Sequence, residues 1–314
     1  MSDGSASTAI ATTVTAEPGA PYTGRFAPSP TGVLHLGSLA TAAASILEAR
    51  TRGGRWLLRI EDLDTARVVP GASDGILRTL EALGFHWDEA VWYQSRRLEH
   101  YEAALGQLRQ GGFLYECSCS RRDLGASDDR GGYPGTCRAG AAKPGPTALR
   151  FRADLQTFGP LVDELQGSLG AGISAGGDPV VRRRDGLHAY QLAVVVDDAA
   201  SRVSHVVRGT DLLPSCRWQR ALQTALHLPP VAYAHVPLLT EADGAKLSKS
   251  AHSIAAPLRV DGAVLYRVLT LLRQTPPAEL SRASVAQSWE WALAHWQPGR
   301  LRGVAQLAVS AHLV

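Results

Sequence analysis

The chain has 314 residues, of which 45% are hydrophobic and 19% charged, so it can form one large or two smaller globular domains with a sizeable core. Its formal net charge of +3 gives no general argument for nucleic-acid binding. No run approaches the ~18 consecutive apolar residues of a membrane helix, so the sequence predicts no membrane span.

Small and polar side chains dominate residues 1–22. This segment has neither the basic start nor the long apolar core of a secretory signal, and its composition predicts a disordered tail. We expect a cytoplasmic protein without a membrane partner, and we expect it to be a monomer.

A strand, a helix and a strand follow within about forty residues. TGRFAP (23–28) predicts a short strand that proline ends, and LGSLATAAASILEARTRGG (36–54) predicts a helix that the two final glycines stop. RWLLRI (55–60) is apolar enough for a strand inside a covered sheet. This order predicts a βαβ unit, with parallel strands and a right-handed crossover.

Two amphipathic helices are predicted next, in SDGILRTLEALGF (73–85) and RRLEHYEAALGQLRQGG (96–112). The region from 116 to about 148 is rich in Gly, Asp, Ser and Pro and has no periodicity. A loop of that length needs a local cross-link, such as a bound metal, or a function of its own.

The chain has four cysteines, and three of them fall within 21 residues of this loop. Because no export signal is present, the C-x-C pair of Cys117 and Cys119 with Cys137 indicates zinc ligation in preference to disulfides. Three thiolates leave one position open, and spacing alone allows Tyr133, the distant Cys216, a carboxylate or water. Free thiols in a polar loop are the alternative.

Further strands are predicted downstream. VVRRRDGLHAYQLAVVVDDA (180–199) predicts two strands around a hairpin turn at Asp185–Gly186. HVVRGTDLLPS (205–215) predicts a strand that enters a helix, with Asp211 accepting from early backbone N–H groups. AYAHVPLL (232–239) predicts another strand, and TEADGAKLSKS (240–250) the loop after it.

The last sixty-odd residues are helical in pattern. Trp289, Leu293 and Trp296 recur at spacings of four and three residues, which predicts the core of a small helical subdomain.

Residues 27–38, APSPTGVLHLGS, form the turn between the first predicted strand and helix. Gly32 and Gly37 permit close approach of the backbone to a ligand, and a phosphate there would meet unpaired N–H groups and the positive end of the helix dipole. His35 would lie beside that phosphate, where it could stabilise charge that develops during transfer. A tight turn with a hydrogen-bonded histidine is the structural alternative.

Lysine is rare in this chain, since only Lys143, Lys246 and Lys249 contribute to the 32 basic residues. Two of the three nevertheless lie within the five residues KLSKS (246–250), which indicates a specific use for ammonium groups there.

Four motifs together resemble one known family. RFAPSPTGVLHLGS (25–38) resembles the HIGH motif of class I aminoacyl-tRNA synthetases, in the version of the glutamyl- and glutaminyl-tRNA synthetases, and KLSKS resembles their KMSKS motif. RIEDLDTAR (59–67) and VVRGTDLLPS (206–215) fit the same family in the same order. The resemblance covers residues 24 to 250 and extends into the helical region that follows.

The resemblance implies an α/β fold: a Rossmann-like class I aminoacyl-tRNA synthetase catalytic domain with a parallel sheet, an inserted zinc-loop and acceptor-side subdomain, and a short C-terminal helical subdomain. The expected division is a tail at 1–22, catalytic halves at 23–115 and 185–250, an insert at 116–184 and helices at 251–314.

Only 64 residues follow Ser250, fewer than the anticodon-binding domain of glutamyl-tRNA synthetases needs. A short core with a C-x-C…Y-x-x-x-C loop is similar to the glutamyl-queuosine tRNA(Asp) synthetases. Those enzymes activate L-glutamate with ATP and attach it to the queuosine base at the anticodon wobble position of tRNA(Asp).

Three other functions stay open at this point. They are a short glutamyl-tRNA synthetase that charges a tRNA 3′ end, a catalytically silent paralogue that binds RNA, and a nucleotidyltransferase with a related H-x-G-H turn. Ser38 stands where that turn would have its second histidine.

The resemblance also implies roles for single residues. The guanidinium forks of Arg25 and Arg208 suit carboxylates, with the Tyr190 hydroxyl beside them, and Glu61 would accept the α-ammonium. Surface ion pairs are the alternative for these charges. The full expected L-glutamate site is Arg25, Phe26, Ala27, Pro28, Ser29, Glu61, Tyr190 and Arg208.

ATP with Mg²⁺ is expected at the turn and at the lysine motif. The implied ATP-binding residues are His35, Gly37, Ser38 and Lys249, and the implied catalytic residues are His35, Lys246 and Lys249. Ser250 stands where glutamyl-tRNA synthetases commonly have arginine, a departure that leaves both lysines in place. One structural zinc is implied at Cys117, Cys119, Tyr133 and Cys137.

Overall fold

The structure is a computed structural model that describes residues 21–124, 133–153, 161–170, 176–241 and 261–309. The strands in these ranges are β1 Thr23–Phe26, β2 Arg55–Ile60, β3 Trp92–Tyr93, β4 Leu114–Cys117, β5 Ala148–Phe151, β6 Leu161–Asp163, β7 Gly167–Leu169, β8 Val180–Arg182, β9 His205–Gly209, β10 Ala232–Val236, β11 Leu238–Thr240 and β12 Gln306–Ala308. The helices are α1 Leu36–Thr51, α2 Ala72–Ala82, α3 Leu98–Gln110, α4 Arg121–Leu124, α5 Tyr190–Ala200, α6 Ser215–Ala225, α7 Gly262–Leu271 and α8 Val285–His295.

The predicted βαβ unit is confirmed in β1, α1 and β2. The two strands pair in parallel, with Phe26 opposite Leu58, and α1 buries a run of alanine, leucine and isoleucine side chains against them. Small side chains let the helix lie close to the sheet, which explains why so many alanines occur in α1.

Two groups of parallel strands meet beside β1. One has the order β3-β2-β1 and the other the order β7-β6-β10-β9, in which only β7 is antiparallel to its neighbour. The Ser204 N–H donates to the Thr23 carbonyl at 2.9 Å, which brings the start of β9 next to β1. The chain therefore reverses its strand order between β1 and β9, and such a switch point opens a crevice at the carboxyl ends of the strands.

An antiparallel sheet of order β4-β5-β8 carries the cysteine region. The aperiodic region predicted from 116 to about 148 thus begins and ends in paired strands, because Cys117 lies opposite Ala148. The predicted insert at 116–184 also contains β6, which pairs with β10 of the parallel sheet, so part of that range belongs to the sheet with the crevice.

The second half of the predicted hairpin is wrong. A tight turn with an Arg182–His188 bridge is present, but AYQLAVVV forms the helix α5 in place of a strand. Leu192, Ala193 and Val194 are all fully buried, so this part of α5 has no solvent-exposed face, and a short apolar run of this kind does not distinguish helix from strand.

Asp211 also differs from its predicted position. It lies in a short 3₁₀ turn at Thr210–Leu212, and α6 begins only at Ser215 with Pro214 as its N-cap.

The C-terminal helices pack on α1 and α2. The Trp289 ring lies edge-on to Phe85 at 4.9 Å, and its Nε1 donates to the Leu83 carbonyl. Trp296 Nε1 donates to Glu48 on α1 at 2.6 Å. The two tryptophans thus join the last helices to the main core, whereas Leu293, predicted as core, is 42% exposed.

The segment after α8 ends in the strand β12, which the helical pattern did not predict. It pairs in parallel with β11, with Leu239 opposite Leu307.

Residues 1–20 of the predicted tail lie outside the described residues, whereas Tyr22 is buried and stacks on His205 at 4.2 Å. Of the helices in the described ranges, none is both long enough and apolar enough to cross a membrane.

Candidate active site

A cavity of about 890 Å³ lies at the carboxyl ends of β1 and β9. It brings together every predicted glutamate- and ATP-site residue that the structure describes: Arg25, Phe26, Ala27, Pro28, Ser29, His35, Gly37, Ser38, Glu61, Tyr190 and Arg208. Lys246 and Lys249, the predicted catalytic lysines, lie outside the described residues.

The turn before α1 forms one wall of the cavity. His35 is the N-cap of the helix, and its Nδ1 accepts the Ser38 N–H at 3.2 Å. Its Nε2 lies 3.1 Å from Ser38 Oγ, so the imidazole is a neutral Nε2–H tautomer that donates to the hydroxyl. A Cβ on Gly37 would lie 3.0 Å from His35 Nδ1, so a larger residue at this position would displace the imidazole.

Arg25 and Glu61 lie in the cavity wall on either side of a buried ion network. Asp198 accepts from Arg25 Nε at 3.2 Å and from Arg59 Nη1 at 2.7 Å. Arg59 Nη2 in turn donates to Glu61 at 3.3 Å. Burial alone would raise the pKa of Asp198, but the two arginines outweigh it and lower the pKa, so this carboxylate stays ionised.

Glu61 is held differently. Burial raises the pKa of its carboxyl group, and Arg59 and Arg25 only partly oppose that effect. A cation that enters the cavity beside Glu61 would favour the charged carboxylate and be bound by it.

Asp197, the neighbour of Asp198 on α5, lies 3.8 Å from Arg59 Nε as a longer ion pair. It accepts from Arg97 at 2.6 Å and from Tyr101 at 2.7 Å, and its side chain is fully buried. Sequence reasoning missed the role of Asp197 and Asp198, since it read them as the end of a strand. The signal was a pair of acidic residues directly after an apolar run.

Arg208 enters the cavity from β9, opposite Arg25. Its Nη1 lies 3.3 Å from the Tyr190 hydroxyl and its Nη2 lies 3.3 Å from the Leu212 carbonyl. Both of these partners line the cavity. Among the described residues no carboxylate lies within 4.0 Å of the Arg208 guanidinium, so its charge has no paired anion.

The side of Arg208 that faces away from the cavity makes shorter contacts. Its Nε donates to His235 Nε2 at 2.9 Å and its Nη1 donates to Gln219 at 2.8 Å. His235 Nδ1 lies 2.5 Å from Asp163, and both side chains are fully buried. Cys216 also lies here, 3.2 Å from Arg208 Nη2. The sequence analysis did not single out His235, Gln219 or Asp163.

In the buried part of the cavity, the charged groups are the guanidinium groups of Arg25 and Arg208 and the carboxylate of Glu61. The other charged lining residues are more exposed, and Asp64 among them pairs with Arg67 and Arg183. A ligand that complements this arrangement has two carboxylates and one ammonium, which is the charge pattern of an acidic amino acid. The helix N-terminus beside His35 offers a place for phosphate in the same cavity.

A second cluster lies in the antiparallel sheet. The sulfur atoms of Cys117, Cys119 and Cys137 all lie within 4.8 Å of one another, and the Tyr133 hydroxyl lies 3.5 Å from Cys117 Sγ. A tetrahedral zinc with Zn–S bonds of about 2.3 Å holds its ligand atoms about 3.8 Å apart. The three thiols are therefore compatible with zinc, and the Tyr133 hydroxyl lies beside them.

The thiols of this cluster differ in acidity. Burial opposes ionisation of Cys137, but backbone N–H groups of Ala142 and Ser118 and the Tyr133 hydroxyl lower its pKa to about 6. Burial and the neighbouring sulfurs raise the pKa of Cys119 to about 11. A Cys137 thiolate next to the protonated Cys119 thiol is a suitable starting point for metal ligation, which displaces the proton of Cys119.

Cys216 is not part of this cluster. It lies on α6, buried against Arg208. Of the fourth ligands that spacing left open, Tyr133 is thus beside the thiols, whereas Cys216 contacts the cavity arginine.

Residues 22–270 match the family of tRNA synthetases class I (E and Q), catalytic domain. A protein of Dechloromonas aromatica (strain RCB) named Glutamyl-Q tRNA(Asp) synthetase is 49% identical over 284 residues, which cover 88% of this chain and 94% of that protein. A protein of the same name from Pseudomonas aeruginosa (strain PAO1) is 47% identical over 287 residues, covering 91% and 97%.

A similar solved structure is the glutamate-tRNA synthetase of Elizabethkingia anophelis. It superposes with a TM-score of 0.75 at 26% identity, over 94% of this chain and 69% of that chain. A glutamate tRNA ligase of Elizabethkingia meningosepticum, solved in complex with its amino acid, gives a TM-score of 0.74 at 25% identity over 94% and 68%.

Proposed function

The chain belongs to the catalytic-domain family of class I tRNA synthetases (E and Q), and from this premise we propose that it activates L-glutamate with ATP and transfers it to the queuosine base of tRNA(Asp). The relatives that are 47–49% identical over most of both chains bear a name that states this activity. The enzyme is thus a ligase that acts through an aminoacyl-adenylate.

One observation supports glutamate as the amino acid. Arg25, Glu61 and Arg208 line one cavity, and Arg208 has no paired carboxylate in the described part of the chain. A neutral side chain in the substrate would leave that buried charge uncompensated, which is costly. We assign the two carboxylates of glutamate to Arg25 and Arg208 and the ammonium to Glu61, with Phe26, Ala27, Pro28, Ser29 and Tyr190 completing the pocket.

In the first step the glutamate carboxylate attacks the α-phosphorus of ATP, and pyrophosphate leaves. His35, Gly37 and Ser38 at the start of α1 bind the nucleotide, and the Nε2–H of His35 exchanges the Ser38 hydroxyl for a phosphate oxygen when ATP binds. Lys246 and Lys249 meet the remaining phosphate charge. Mg²⁺ bound with ATP offsets the charge of the phosphates. Removing one such donor typically costs about 10²–10³ in rate.

In the second step a hydroxyl of the queuosine cyclopentene ring attacks the carbonyl carbon of the adenylate, and AMP leaves. The substrate is therefore a nucleoside within an anticodon, which must enter the crevice at the carboxyl ends of β1 and β9.

We propose that the thiol cluster binds one structural zinc through Cys117, Cys119, Tyr133 and Cys137. The metal would connect β4 to the residues before β5. Zinc held by four protein ligands supplies folding free energy and has no open position for chemistry.

Labelled glutamate tests the function directly. The protein is given ATP and tRNA(Asp), with or without queuosine, and the 3′ nucleotides are then removed. Label that stays on queuosine-containing tRNA(Asp) supports the proposal. Label that leaves with the 3′ end, or that attaches to tRNA(Glu), would identify a glutamyl-tRNA synthetase, and absence of any transfer would identify a silent paralogue.

Pyrophosphate exchange tests the first step alone. Glutamate-dependent exchange is expected without any tRNA, and Lys249→Ala should abolish it. Lys143→Ala is the matched control, because Lys143 lies in a surface ion pair with Asp123 and should leave exchange unchanged.

A further inference from the structure

We propose that Asp163 and His235 are positioning residues that orient Arg208 toward the substrate side chain and thereby set the preference for glutamate over glutamine. This inference rests on the proposed function and deepens it: the side-chain carboxylate is assigned to Arg208, and the reacting α-carboxylate to Arg25, which directly precedes the turn proposed to bind ATP. The two residues lie behind Arg208, and neither of them lines the cavity.

The contacts of Arg208 fall into two sets. Its cavity-side contacts, to Tyr190 and Leu212, are both 3.3 Å long. Its inner contacts are to His235 and Gln219, at 2.9 Å and 2.8 Å, and to the Cys216 sulfur at 3.2 Å, which is short for a contact to sulfur. A substrate carboxylate can replace the long contacts without disturbing the short ones, so the inner set decides where the fork points.

His235 can accept the Arg208 Nε–H only in one tautomer. Its Nε2 must carry no proton, so the proton must be on Nδ1, where Asp163 accepts it at 2.5 Å. Asp163 is itself held, because its Oδ1 accepts from the backbone N–H groups of Leu165 and Gln166 at 3.0 and 2.8 Å. The carboxylate thus fixes the histidine, and the histidine fixes the arginine.

The chemistry of this arrangement suits a carboxylate substrate. A carboxylate in direct contact with Arg208 would cancel the charge that the substrate needs. A neutral imidazole accepts the hydrogen bond and leaves the charge in place, and burial lowers the pKa of His235 to about 4, which keeps it neutral near pH 7. Asp163 does not contact the Arg208 guanidinium, because His235 lies between them. Arg208 therefore keeps its preference for the carboxylate of glutamate over the amide of glutamine.

The exchange assay with the full chain separates this role from a general structural one. In Asp163→Asn, the side-chain NH₂ group donates to His235 Nδ1. The histidine proton must then be on Nε2, where it faces the Arg208 Nε–H, and two donors cannot form a hydrogen bond with each other. We expect KM for glutamate to rise by about 10- to 100-fold and the glutamate-to-glutamine ratio of kcat/KM to fall at least about tenfold. KM for ATP should stay within about twofold.

A second substitution tests the tautomer argument. The amide oxygen introduced by His235→Gln can accept the Arg208 Nε–H whatever residue 163 is. We therefore expect His235→Gln to keep most of the selectivity, and the double variant Asp163→Asn/His235→Gln to be less impaired than Asp163→Asn alone. His235→Leu, which offers no acceptor, should lose selectivity. His295→Gln, at an exposed position on α8, is the matched control and should behave as wild type.

Three results would overturn the inference: wild-type KM and selectivity in Asp163→Asn, equal losses in the KM values for glutamate and ATP, or a double variant as impaired as the single one. Thermal unfolding of each variant identifies losses of activity that come from misfolding. If Asp163→Asn alone misfolds, the comparison of His235→Gln with the double variant tests the inference. If the wild-type chain itself shows no glutamate-dependent exchange, the proposed function fails instead, which is a separate outcome.

Discussion

At the scale of single residues, the two buried arginines of the cavity differ in the charge of the groups that they contact. Arg25 is paired with the carboxylate of Asp198, whereas every described contact of Arg208 is to a neutral group. The first arginine is held in place and partly neutralised, and the second keeps its full charge for a ligand. Single-residue reasoning found both arginines from their motifs, but it did not distinguish them, because the partners lie 173 and 27 residues away.

The buried histidine makes stability depend on pH in a defined direction. Burial lowers the pKa of His235 from 6.5 to about 4, and Asp163 only partly opposes this. Between these values the unfolded chain binds a proton that the folded chain does not, so this contribution to the free energy of unfolding is complete above about pH 6.5 and is lost as the pH falls toward 4. The charged or titratable side chains that act on His235 are Asp163, Arg208, Asp211, Cys216 and Tyr233.

Thermal unfolding between pH 7.5 and 4.5 checks this prediction. His235→Gln should lose less stability on acidification than wild type, and His295→Gln should follow wild type. Parallel pH profiles for wild type and His235→Gln would contradict it.

At the scale of elements, each wall of the cavity is the end of a strand or the start of a helix. The turn before α1 works because glycine and a capping histidine leave the helix N-terminus open to the cavity. α5 was the element that sequence reasoning assigned wrongly, since Val194 and Val195 favour strands by local propensity. The surrounding core decided otherwise, and the helical spacing of α5 turns Asp197 toward Tyr101 and Asp198 toward Arg25.

The zinc cluster gives a prediction at the scale of the β4–β5 pair. The purified chain should hold about one zinc per chain, and Tyr133→Phe should weaken zinc binding by about tenfold, because one ligand is lost and three thiolates remain. Metal analysis after titration with a chelator measures both quantities.

Cys216→Ser is the control for that experiment. Because Cys216 lies against Arg208, away from the cluster, zinc content should not change. Loss of zinc in Cys216→Ser, or full retention in a Cys137→Ser variant, would show that the ligand set is wrong.

At the scale of the whole molecule, the last described residues close the sheet region that leads to the lysine motif. β12 pairs with β11, and the carbonyls of Val304 and Ala305 accept from Gln166 and Thr210. Lys246 follows Thr240, the last residue of β11, by six residues. The C-terminal strand thus supports both the entry to KLSKS and the turn that carries Asp163.

Truncation tests this closing contact. A chain that ends at Arg302 loses β12 and at least five hydrogen bonds, those to Leu165, Gln166, Thr210, Leu238 and Thr240. At roughly 0.5–1.5 kcal/mol per bond, this should lower the free energy of unfolding by about 2.5–7.5 kcal/mol. Its KM for ATP should rise, because the strand before the lysine motif is no longer paired. A chain that ends at Val309 keeps β12 and should match wild type in both measurements; equal behaviour of the two truncations would contradict the prediction.

The sequence by itself determined the family, the βαβ unit at residues 23–60 and a group of expected site residues that the structure brings into one cavity, because these follow from short motifs in which neighbouring residues act together. The tertiary structure alone decided that α5 is a helix, that β12 closes the sheet and that Asp163, His235 and Asp198 hold the two arginines. These outcomes depend on contacts between residues distant in the chain, such as Asp163 with His235 and Arg25 with Asp198. Burial makes those contacts strong, and local sequence patterns do not record which distant side chains are buried together.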